Sequence, residues 1–173
     1  MKKRLYNSIL SGLFLALALL LPFVTASDPK IGNMFLPMHI PIMLCGYICG
    51  PIWGLAAGII APLLRNLLFS APQLFPTAIA MCAELGCYGL VCGLLYKILP
   101  KSPTNTYISL IISMLLGRLV WGGISLLLYS FSGKSFGFEL FISGAILSAI
   151  PGIILQIAII PPLIIIANKH LKK

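Results

Sequence analysis

The 173-residue chain is 60% hydrophobic and only 9% charged, with a mean hydropathy of +1.07. A soluble domain carries about 25% charged residues, so this composition excludes an ordinary soluble fold and indicates one integral membrane domain over residues 1–173. The net charge of +9 does not mark a nucleic-acid binder, because the basic residues gather at the chain ends and in one loop without an aromatic-interleaved stripe.

Turn chemistry divides the chain into six apolar spans, which predicts an all-α, polytopic bundle of six transmembrane helices. The first runs from about Leu5 to Val24 behind Lys2, Lys3 and Arg4. Val24-Thr25-Ala26 resembles a signal-peptidase site, but an apolar run of about 20 residues exceeds the 7–15 of a signal core, so the span is read as a retained helix. After TASDPKIGNMF comes a short second span, Leu36 to Cys49, with Pro37 and Pro41 near its start. Gly50-Pro51 breaks it sharply. The third span is Trp53 to Phe69. The fourth, Thr77 to Leu99, follows SAPQLFP, and the fifth, Tyr107 to Phe131, follows PKSPTNT. The sixth, Phe138 to Ala167, is long enough to tilt, or to kink at Pro151 and Pro161-Pro162.

Lys and Arg set the expected orientation. With both termini cytoplasmic, the inner side holds Lys2, Lys3, Arg4, Lys97, Lys101, Lys169, Lys172 and Lys173, and the outer side only Lys30 and Lys134. That bias obeys the positive-inside rule and predicts a multi-pass protein of the cell membrane, in contact with lipid.

Arg65, Glu84 and Arg118 fall inside the spans, where a charge costs roughly 2.5–3.5 kcal/mol and normally lines a cavity or substrate path. A rise of about 1.5 Å per residue puts Arg65 and Arg118 roughly 18 Å from the inner side and Glu84 roughly 10 Å below the outer one. His39 starts the second span, so four polar groups on different helices reach the outer half of the membrane. Tyr88 follows Glu84 by four residues and Trp121 follows Arg118 by three, so each pair shares a helix face. The expected result is a pocket with a carboxylate, guanidinium groups and aromatic walls, suited to a small polar organic molecule. Two arginines against one acid leave a positive surplus that favours a ligand carboxylate. The plainer alternative is a structural ion pair between Glu84 and one arginine. Gln156 is expected to hydrogen-bond between helices.

Cys45, Cys49, Cys82, Cys87 and Cys92 all lie in apolar segments with no zinc-like spacing, so they read as small packing residues. No metal or cofactor is expected. Ser8, Gly12 and Ala16 form a ladder of small residues on the first helix. Gly50, Gly54 and Gly58 continue the pattern into the third, and Gly86, Gly89 and Gly93 thin the fourth. Such ladders let helix backbones approach closely. The first helix has no intramembrane charge, so its ladder is free to face another protein.

Taken together, HIPIMLCGYICGPIWGLAAGIIAP and FPTAIAMCAELGCYGLVCGLLYK resemble the substrate-binding S component of energy-coupling factor (ECF) vitamin transporters. The resemblance covers essentially the whole chain, and Gly50, Pro51, Gly54 and Gly58 are its most recognisable element. It implies high-affinity capture of a vitamin from outside. It also implies docking of the first helix, through Ser8, Gly12 and Ala16, on a transmembrane coupling subunit driven by two cytoplasmic ATPases. The family's ladder is usually AxxxA, which Gly12 and Ala16 match in size only. Carried over residue by residue, the ligand contacts would be Met34, Phe35, His39, Glu84, Tyr88, Arg118 and Trp121. The positive surplus points to an acidic vitamin, with pantothenate the first choice and nicotinate, biotin or an uncharged pyrimidine precursor as alternatives.

No Walker motif occurs, so a transport subunit without its own ATPase is expected rather than an enzyme. The rival class is a proton-coupled secondary transporter of a small organic molecule, with Glu84 as the titrating group. Against it, residues 1–90 and 91–173 show no convincing repeat.

Overall fold

The computed structural model describes residues 2–24, 34–131 and 149–171. Among the described residues five long helices and a shorter one, the second, alternate in direction: α1 (Lys2–Val24), α2 (His39–Cys49), α3 (Pro51–Phe69), α4 (Ile79–Ile98), α5 (Pro103–Phe131) and α6 (Ile150–Leu171). Apart from α2, each is long and apolar enough to cross a membrane, and the chain is a multi-pass membrane protein. The expected start of the sixth span, from Phe138, lies outside the described residues up to 148. Its helix runs from Ile150 through Pro161-Pro162 without a break.

Three helices pack backbone to backbone. A Cβ at Gly54 or Gly89 would meet the other glycine's main chain, and one at Gly58 would meet the main chain at Leu85 and Gly86. At Gly93 it would lie 2.6 Å from the Pro51 nitrogen and 2.7 Å from the Gly46 carbonyl oxygen. The two ladders read in the sequence therefore face each other and pull α2, α3 and α4 into close contact. Gly46, on the second helix, completes the set.

The ends of the bundle differ. At one end, Asn7 donates to the Cys49 carbonyl (2.9 Å), and the Tyr47 hydroxyl lies 2.8 Å from the Ser109 hydroxyl. Lys97 and Lys101 sit at this end, with the N-terminus of α1 and the C-terminus of α6. The opposite end gathers the C-termini of α1, α3 and α5 with the N-termini of α2, α4 and α6. There α3 closes on Ser70, held at φ 55 with its N–H on the Asn66 carbonyl (2.8 Å). The Asn66 side chain then donates to Pro72 (2.7 Å), fixing the turn that leads into Leu74–Ala78 and α4.

Candidate functional site

A cavity of about 190 Å³ opens at this second end. One wall is a single face of α4 and the turn before it, where Thr77, Ala80, Met81 and Glu84 recur every three to four residues. The facing wall is α5, where Arg118, Trp121, Ser125 and Tyr129 repeat at the same helical spacing. Leu36 and His39, at the entry to α2, close the third side. Leu36 takes φ 50, and its carbonyl accepts the His39 N–H at 3.0 Å, which turns the chain so that His39 starts the helix facing inward.

The polar groups converge on one oxygen. Glu84 is 2% exposed, and its Oε1 lies 2.8 Å from Arg118 Nη1 and 3.6 Å from His39 Nε2, and accepts the Tyr88 hydroxyl at 3.0 Å. The rings of His39 and Tyr88 lie 5.4 Å apart, tilted by 56°. Tyr88 is 1% exposed and rests on Gly117, where a Cβ would fall 2.7 Å from its Cζ. A buried carboxylate thus has a guanidinium as counter-ion and a phenol as second donor, which is what a charge removed from water needs. Three nitrogens remain open. Arg118 Nη2 and both ring nitrogens of His39 are buried without a hydrogen-bond partner among the described residues. Buried polar atoms are nearly always paired, and these three nitrogens, on a cavity wall, can each still form a hydrogen bond.

Five of the expected contact residues therefore meet in one cluster: His39, Glu84, Tyr88, Arg118 and Trp121. Met34 and Phe35 stand elsewhere. Their side chains are about 40% exposed, and their backbone lies where a Cβ at Gly152 would come within 2.7 Å of the Met34 carbonyl oxygen. Ser125 and Tyr129 also line the cavity and continue the face begun by Arg118 and Trp121, although no charge marks them in the sequence.

Arg65 corrects the charge count. It turns away from the cavity, donates from Nη1 to the Leu19 carbonyl (3.0 Å), and lies 5.4 Å from the Phe23 ring and 5.8 Å from the Phe69 ring. Those rings meet edge to face at 4.9 Å. Arg65 ties α1 to α3 and adds no charge to the pocket, so among the described residues one guanidinium faces one carboxylate, without the surplus inferred from two arginines and one acid. Gln156, 1% exposed, leaves its Nε2 without a partner among the described residues, contrary to the helix–helix bond expected of it.

The small-residue ladder on α1 points outward. Ser8, Gly12 and Ala16 are exposed, and a Cβ at Gly12 would meet nothing within 4 Å.

A family model described as "ECF transporter, substrate-specific component" matches residues 6–164. No curated protein matches the chain significantly, and no solved structure does.

Proposed function

We propose a ligand and a mode of action for this chain, which belongs to the substrate-specific components of ECF transporters. Membership makes it a membrane transport subunit with a small-molecule substrate, working in a complex with a transmembrane component and ATPase subunits. Within that frame, it captures a small acidic vitamin, with pantothenate the first choice, in the cavity between α2, α4 and α5. The observation that carries this reading is the set of unpartnered buried nitrogens, Arg118 Nη2 and the His39 ring, around an already neutralised Glu84. They call for a ligand that brings hydrogen-bond acceptors, and a carboxylate is the strongest acceptor for a guanidinium. The hydroxyl and amide groups of pantothenate would serve His39 and Ser125, and Trp121 would cover its apolar part.

The basic end of the bundle faces the cytoplasm in this proposal, with both termini inside and the cavity opening outward. The first helix docks on the coupling subunit through Ser8, Gly12 and Ala16, whose small side chains allow a partner helix close approach. Two cytoplasmic ATPases supply the energy.

The test is transport in membrane vesicles together with isolation of the tagged chain from its native membrane. A coupling subunit and ATPases should co-purify, and pantothenate uptake should need ATP. Uptake that survives ATP depletion and stops with an uncoupler would replace this reading by a proton-coupled carrier.

A further inference from the structure

We infer that an acidic ligand enters this pocket together with one proton, which His39 takes up to balance the added charge. The inference rests on the cavity being the ligand site, as proposed above. Its starting point is the pocket's charge. Arg65 is committed to the Leu19 carbonyl outside the cavity, and Glu84 and Arg118 face each other at 2.8 Å, so the paired groups already cancel. A carboxylate brought into this site adds a negative charge in surroundings where an uncompensated ion is costly. Arg118 cannot compensate it alone without giving up Glu84.

His39 is the group placed to do so. It is 2% exposed, lines the cavity, and has both ring nitrogens without a hydrogen-bond partner among the described residues. Its Nε2 sits 3.6 Å from Glu84 Oε1, where a proton gained by the ring would be shared with an existing carboxylate. Imidazole is also the side chain whose charge changes most readily near neutral pH.

Among the described residues, the neighbours offer no competing group. Facing His39 from α4 are Glu84 and Tyr88, while Arg118 and Tyr129 line the same cavity from α5. The α1 segment that runs beside the start of α2 carries no titratable side chain between Asn7 and Val24, and α3 contributes only Arg65. On α6 the first ionisable residues are Lys169 and His170, at the far end of the bundle. Tyr88 is already a donor to Glu84, which leaves the imidazole to accept the proton. The step is simple: the ring takes a proton from water and becomes imidazolium, and the ligand carboxylate stays ionised.

The test is calorimetry on the full-length protein in detergent, with pantothenate, nicotinate and biotin as probes, in paired buffers of different ionisation enthalpy. For a carboxylate that binds, uptake of about one proton is expected over an interval around neutral pH, with affinity falling about tenfold per pH unit across that interval and levelling off above it. The uncharged alcohol analogue of pantothenate should bind without proton uptake. In His39→Gln the uptake should vanish and the pH slope flatten. The wild-type comparison between buffers stands even if that variant fails to fold. Carboxylate binding with no proton uptake across the range, or uptake that persists in His39→Gln, overturns this inference and leaves the ligand site standing. Failure of all three acids to bind overturns both.

Discussion

Gly117 gives the Tyr88 ring its place: a methyl group there would overlap the ring, and from that place the phenol reaches Glu84 at 3.0 Å. A residue with no side chain on α5 thereby sets the position of a donor on α4. Gly117→Ala should displace Tyr88 and cost about 1–3 kcal/mol of stability, as overpacking does. Ligand affinity should fall with it. Gly123→Ala on the same helix is the control, because nothing lies within 4 Å of the added methyl. Thermal unfolding and binding of both variants would check this, and equal behaviour would remove Gly117 from the account.

Arg65 and Arg118 should separate cleanly by phenotype. Arg65→Gln removes a guanidinium from two phenyl rings and the Leu19 carbonyl, a loss of about 1–2 kcal/mol in the α1–α3 contact. The melting temperature in detergent should drop while ligand affinity stays within about twofold, given that additivity holds for separate sites. A large loss of affinity in Arg65→Gln, with the fold intact, would contradict the charge count made for the pocket.

The docking face gives an opposite pattern. Gly12→Leu and Ala16→Leu add bulk where α1 is exposed, so stability and ligand binding should be unchanged. Vesicle uptake should fall severalfold or more because a partner helix can no longer approach. Normal uptake in both variants would assign the ladder to lipid contact.

Much of this arrangement is written in the sequence at the level of segments. Apolar length and turn chemistry locate the first five helices to within a few residues, and helical spacing pairs Glu84 with Tyr88 and Arg118 with Trp121. Which way a helix is rotated is another matter. Arg65 and Arg118 look alike in the chain, each a lone charge in an apolar span, and only the packing of α3 on α1 turns Arg65 toward Phe23 and Leu19. The same applies to Gly117, whose role depends on a ring from another helix. Ser125 and Tyr129 were legible in principle, since they extend the Arg118–Trp121 face by one and two turns beyond Trp121. They escape notice because serine and tyrosine are unremarkable at a helix end, whereas a buried charge demands an explanation.

The central claim is that Arg118, held by Glu84, anchors an acidic ligand, and binding by purified variants tests it most directly. Removing one member of a buried hydrogen-bonded charge pair typically costs about 2–5 kcal/mol, so Arg118→Ala should lose roughly 30-fold or more in affinity for pantothenate. Arg118→Lys should also bind poorly, because an ammonium cannot serve Glu84 and the ligand with a planar fork. Glu84→Gln should weaken binding by loosening the guanidinium. Folded Arg118→Ala and Arg118→Lys proteins that bind pantothenate as tightly as the wild type would contradict the account.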